Sequence, residues 1–140
     1  MIIKQLSVFL ENRAGRLAEI TGLLSEGGVN IRALSIADTT HFGVLRFIAD
    51  EPEQAQAVLR QNAVTVSQTD VIAVCVDDQP GGLSGVLGCL AQRGMQVEYL
   101  YAFVSREQGK AGVILRMAEE CDLREAARVL TDLGYTGLTT

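Results

Sequence analysis

Asn12-Arg13-Ala14-Gly15-Arg16-Leu17 returns as Asp78-Gln79-Pro80-Gly81-Gly82-Leu83, displaced by 66 residues. The same displacement carries Leu6, Val8 and Leu10 onto Ile72, Val74 and Val76. It also carries Leu17, Ile20, Thr21 and Leu24 onto Leu83, Val86, Leu87 and Leu90, and Gly28-Val29-Asn30-Ile31 onto Gly94-Met95-Gln96-Val97. Further along, Val44-Leu45-Arg46-Phe47 matches Ile114-Leu115-Arg116-Met117 at 70, and Ala55, Val58 and Leu59 match Ala126, Val129 and Leu130 at 71. Three matches in order, each keeping the apolar pattern, indicate an internal duplication. The units are expected at residues 1–68 and 69–140, with a very short joint near Gln68 to Asp70.

Each unit reads alike. Leu6, Val8 and Leu10 alternate with Gln5, Ser7 and Phe9, the period of a strand with one buried face. From about Ala14 to Glu26, Leu17, Ile20 and Leu24 recur at helical spacing, and Gly27-Gly28 stops the helix. Val29 to Ala37 is a β-rich stretch with Ile31, Leu34 and Ile36 expected inward. Its three-residue step from Ile31 to Leu34, repeated at Val97 and Leu100, suggests a bulge. Asp38 to Phe42 reads as a turn and Gly43 to Ala49 as a third strand. Asp50 before Pro52 and Glu53 offers a capping box, as do Asp122 and Glu125. Val64 to Ser67 and Tyr135 to Leu138 read as short closing strands. The order is βαββαβ, twice. The expected class is α+β: two ferredoxin-like units side by side, each an antiparallel sheet with both helices on one face.

Composition narrows the function. The chain has 140 residues, 48% hydrophobic and 21% charged, with two prolines. That is a globular balance, and no apolar run reaches the ~18 residues that span a bilayer. Met1 to Leu10 lacks the apolar core of a signal peptide, so a cytoplasmic location is expected. Residues 1–68 carry net charge −1 and residues 69–140 carry −4. Neither has a basic cluster, which argues against nucleic acid as a partner. Cys75, Cys89 and Cys121 form no CxxC pair. Buried free thiols are expected rather than a metal or redox site, and no cofactor is implied.

The glycine-bearing loops, Gly28-Val29-Asn30-Ile31 and the doubled βαββαβ order resemble the ACT domain. The resemblance covers nearly the whole chain, as two consecutive copies. It is closest to small standalone tandem-ACT proteins of bacteria. It implies a sensor of small molecules, most often amino acids, in amino-acid metabolism. It also implies domains that pair edge to edge, with effectors held by the first loop and the start of the second strand. The family's loop reads Asp or Asn, any residue, Pro, Gly. Asp78-Gln79-Pro80-Gly81 fits fully, whereas Ala14 replaces proline in Asn12-Arg13-Ala14-Gly15. The strand-two asparagine is present as Asn30 and becomes Gln96 in the second unit.

The residues suit that chemistry. Unpaired N–H groups at a helix start favour a carboxylate, and Asn30 offers both an acceptor and a donor. Two readings fit Gly15 and Gly81: they serve the turn, or they let a ligand approach. The candidate ligand contacts are Asn12, Arg13, Ala14, Gly15, Arg16, Asn30, Ile31, Asp78, Gly81, Gly82, Gln96 and Val97. In this reading the loop of one unit meets the second strand of the other, Asp78 attracts an ammonium, and Arg13 or Arg16 assists the carboxylate. Lone His41 reads as a surface turn residue, with no triad to join. Arg46 and Arg116, read as equivalent, point away from the helices, as solvated charges or as a carboxylate clamp. Phe9, Val44, Tyr99 or Tyr101 on that face predict a homodimer; Phe103 adds to its aromatics. A non-catalytic amino-acid sensor is expected. The alternatives are a regulatory subunit resembling the small subunit of acetolactate synthase, with a partner enzyme, and an acylphosphatase-like hydrolase using Arg13 or Arg16 with Asn30.

Overall fold

The computed structural model describes residues 1–38 and 41–138, so residues 39 and 40 of the expected turn at Asp38 to Phe42 lie outside the described residues. Elements follow in the order β1 (Ile2–Glu11), α1 (Arg16–Glu26), β2 (Ile31–Asp38), β3 (Phe42–Ala49), α2 (Pro52–Gln61), β4 (Val66–Asp77), α3 (Gly82–Ala91), β5 (Val97–Val104), β6 (Lys110–Met117), α4 (Leu123–Asp132) and β7 (Thr136–Gly137). The backbone divides into two compact units. One is Lys4–Thr69; the other joins Met1–Ile3 to the chain from Asp70 onward. The Ala73 N–H donates to the Met1 carbonyl (2.8 Å), which ties the N-terminal residues to the second unit.

In the first unit β3 pairs antiparallel with both β1 and β2. The alternation of β1 places Leu6, Val8 and Leu10 on one face. Leu45, Phe47 and Ala49 of β3 join them, and Ile20, Leu24, Ala55 and Leu59 cover them from α1 and α2. Burying each large side chain contributes about 1.5–3 kcal/mol relative to exposure. In the second unit β6 pairs with β4 and β5, and β4 with β7. Ile72, Val74, Val76, Val113, Leu115 and Met117 meet Val86, Leu90, Ala126 and Leu130. Both units are therefore α+β, antiparallel, with two helices on one sheet face.

The expected bulges are present as register shifts between Ile31 and Ala33 and between Val97 and Tyr99. Other details depart from expectation. The expected joint near Gln68 to Asp70 falls inside a strand, since β4 runs from Val66 to Asp77. Leu34 and Ile36 are 48% and 43% exposed. Their ladder partners Phe47 and Leu45 lie in the core, but β2 is an end strand with a neighbour on one side only. Leu17 is also exposed, in the first turn of α1, leaving Ile20 and Leu24 as the buried stripe. Tyr101 is buried rather than on an open face, while Phe9 is 69% exposed.

The ladders also correct the pairing of the repeats. Leu6 lies opposite Phe47, and Ile72 opposite Leu115, so the third strands correspond at a displacement of 68, not 70. Arg46 corresponds to Ile114 and Arg116 to Ile48; the two arginines are not equivalent. A slip of two residues leaves every side chain on its original face, which is why the apolar pattern cannot detect it. Arg46 does lie on the face away from the helices, between Ser7 and Ser35.

Candidate functional site

The first loop joins β1 to α1. It closes on itself: the Arg13 N–H donates to the Glu11 carbonyl (2.8 Å) and the Arg16 N–H to the Arg13 carbonyl (3.3 Å). Gly15 has φ +84°, in the left-handed region, and a Cβ there would meet nothing within 4 Å. The glycine thus answers a backbone requirement. Asn12, Arg13 and Ala14 are exposed around it, and Arg16 is half-buried.

The cations of this loop are engaged. Arg13 Nη1 and Nη2 donate to both oxygens of Glu19 (3.1 and 3.0 Å), and its Nε donates to Glu11 (3.2 Å). Arg16 Nη1 donates to the same Glu19 (3.0 Å). The hydrogen bond from Arg13, and secondarily that from Arg16, holds the Glu19 carboxyl below the usual carboxylate range. Arg16 Nε is buried with no hydrogen-bond partner. Glu19 was missed in the sequence, although its place three residues after Arg16 on a helix is a readable pairing signal.

Asn30 is anchored separately. Its N–H donates to Asp50 Oδ1 (2.9 Å), and its carbonyl accepts from the Asp50 N–H (3.0 Å). Asp50 therefore does not cap α2 as expected; Glu51 takes that position without a side-chain bond. The Asn30 side chain is exposed, and Ile31 packs partly on the core.

The second loop repeats the backbone hydrogen bonds and the left-handed glycine with different side chains. The Gln79 N–H donates to the Asp77 carbonyl (2.9 Å) and the Gly82 N–H to the Gln79 carbonyl (3.0 Å); Gly81 has φ +91°. The Asp78 N–H donates to the Gly109 carbonyl (2.9 Å), which ties the loop to the turn between β5 and β6. Lys110 pairs with Asp77, and that hydrogen bond raises the ammonium's pKa. A Cβ on Gly82 would stand 2.1 Å from the Asp77 carbonyl oxygen, so this position has no room for a side chain. The Gln96 carbonyl accepts from the Ala118 N–H (2.9 Å), matching the Asn30–Asp50 backbone contact without its carboxylate. Gln96 is exposed and Val97 packs partly against the second core.

Helices α1 and α3 both start behind a glycine, with no side-chain cap, whereas Asp122 caps α4 by accepting from the Arg124 and Glu125 N–H groups (3.0 and 3.2 Å). Their first turns are therefore suited to an external anion. Among the described residues no group of three or more His, Cys, Asp or Glu stands together as a metal site, and no helix is long and apolar enough to cross a membrane. The three cysteines are free: Cys75 is buried, Cys89 and Cys121 half-buried.

Comparison with known proteins gives a consistent picture. A search of curated proteins returns no match. Among solved structures, protein BT0572 from Bacteroides thetaiotaomicron is 37% identical; the match covers 99% of this chain and 92% of that one, with a TM-score of 0.90. The ligand-free regulatory subunit of aspartate kinase from Thermus thermophilus shares the fold at 13% identity, with 96% and 97% covered and a TM-score of 0.64. Its counterpart from Thermus flavus does so at 12% identity, with 94% of each chain covered and a TM-score of 0.63. The family model described as an ACT domain pair matches residues 1–136. The duplicated βαββαβ units and the paired glycine loops are thus those of the ACT domain pair, a regulatory domain type, and the chain belongs to that family.

Proposed function

We propose that this chain is a non-catalytic regulatory protein of amino-acid metabolism that binds an amino acid at its glycine loops. The observation that carries the reading is the pair of helix starts at Gly15 and Gly81, left without a side-chain cap. Backbone N–H groups there favour a carboxylate by direction and partial charge. Around the first loop the contacts are Asn12, Arg13, Ala14, Gly15 and Arg16, with Asn30 and Ile31 at the start of β2. In the second unit they are Asp78, Gly81, Gly82, Gln96 and Val97. The regulatory character follows from the family; the solved regulatory subunits of aspartate kinase are similar in fold alone.

A thermal-shift screen of the intact protein against the twenty amino acids tests this. A binder at 100 times its Kd raises stability by about 2.7 kcal/mol. Calorimetry on Asn30→Ala follows, with an expected loss of about 1–3 kcal/mol in binding from unpaired polar groups. Gly15→Val is a poor probe, because φ of +84° strains any β-branched residue whether or not a ligand binds there. Failure of all twenty amino acids to shift the melting temperature would overturn the reading.

Assembly as a homodimer belongs to the same proposal. Phe9 and Phe42 are 69% and 57% exposed, and Phe9 lies opposite Val44 on the face away from the helices. Light scattering at micromolar concentration should give twice the chain mass.

A further inference from the structure

We propose that Glu19 is an internal competitor for the first loop: its carboxylate occupies the arginines that an incoming carboxylate would use, so a ligand binds there by displacing it. This rests on the proposed role of the loop as a carboxylate site.

The geometry supports it in four ways. Glu19 meets Arg13 with both oxygens, the two-point fork that a free carboxylate would make. The same carboxylate also takes Arg16 Nη1, so one group engages both loop cations. With Glu11 on Arg13 Nε, the cluster holds two positive and two negative charges and is neutral as it stands. Arg16 Nε remains buried without an acceptor, a donor that Glu19 does not satisfy. A competitor must also leave cheaply. The side chains of Arg13 and Glu19 are 48% and 49% exposed, so Glu19 can return to water. Exposed ion pairs exchange at little cost.

The second unit has no counterpart of Glu19 or of the two loop arginines. Displacement by 66 places Gln79, Gly82 and Gly85 where the first unit has Arg13, Arg16 and Glu19. A ligand there meets backbone groups and Asp78, with Lys110 already held by Asp77 outside the helix start. The two loops should therefore differ in how strongly a carboxylate must compete.

The test uses sodium acetate as the probe at pH 7, on the full chain, read by NMR at the Arg13 and Arg16 Nε–H and the Gly15 amide. Glu19→Gln keeps the shape and removes the charge. It is expected to tighten acetate binding at these signals about two- to fivefold, the strength of an exposed pair. Glu26→Gln, which removes one charge at the other end of the same helix, is expected to change it less than 1.5-fold, an approximate allowance for long-range effects under screening. Equal gains in both variants, or no gain in Glu19→Gln while it melts as the wild type does, overturn the proposal. The result is separable from the amino-acid reading. An amino acid that binds wild type and Glu19→Gln equally leaves that reading standing and removes the competitor. Tighter acetate in Glu19→Gln, with no amino acid bound by wild type, does the reverse.

Discussion

The two loops share a backbone hydrogen-bond pattern and a left-handed glycine and differ in what holds them. The first is tied by side chains, through Arg13 and Arg16 onto Glu19. The second is tied mainly by main chain, through Asp78 to Gly109 and by a Gly82 packed against Asp77, with one exposed ion pair, Lys110 on Asp77, beside it. Exposed ion pairs are weak and exchangeable, whereas a backbone contact at the steric limit is neither. Duplicated units can thus keep one turn geometry with one loop rigid and the other adjustable. The helix ends show the same divergence. Asp122 caps α4, while its counterpart Glu51 leaves α2 without a side-chain cap.

The largest expected effect is at Gly82. Gly82→Ala puts a methyl group into the Asp77 carbonyl and should cost about 3 kcal/mol, because backbone rather than a flexible side chain must move. Arg16→Ala, at the matching position, should cost less than about 1 kcal/mol. Urea denaturation of both variants measures the difference; equal costs would show that the two loops are held alike.

Next come the caps. Asp122→Ala should cost about 1 kcal/mol, and Glu51→Ala close to nothing, since only Asp122 accepts helix N–H groups. The helix exits give a comparable test with opposite signs. Ala63 has φ +59°, and its counterpart Gly134 has φ +93°. Both close the same motif, with Val64 N–H on Leu59 O and Tyr135 N–H on Leu130 O. Ala63→Gly should stabilise by roughly 0.5–1 kcal/mol, the left-handed penalty less the added chain entropy of glycine. Gly134→Ala should destabilise by about 1 kcal/mol.

The smallest effect is electrostatic. The folded-state carboxyl of Glu19 titrates below its unfolded value of 4.5. Its contribution to stability is therefore complete above that value and disappears as pH falls through the lower, folded-state one. Carboxyl NMR titration should show Arg13→Gln moving Glu19 back up toward its ordinary range. A Glu19 that titrates alike in both proteins would remove the ion pair as the first loop's tie. No group in the matching place of the second loop should show this behaviour, because that place is Gly85.

The sequence by itself determined the duplication, the βαββαβ order, the bulges and the apolar faces. All of these depend on spacings of two and of three to four residues, which sequence displays directly. Ile20 with Leu24 and Ala55 with Leu59 were legible for that reason, as were Gly15 and Gly81 as turn positions. Register and partners were decided only by the tertiary structure. Arg46 opposite Ser7 rather than matched to Arg116 depends on ladder alignment, which a two-residue slip hides from any face pattern. Asp50 leaves its expected helix cap for Asn30, twenty residues away, because an exposed carboxylate takes whichever N–H the fold brings near. Leu34 and Ile36 have the pattern of buried residues, yet burial on an end strand depends on how far the helix layer reaches. The pairing of Glu19 with Arg13 likewise waits on the turn at Gly15, which folds the loop back over the first turn of α1.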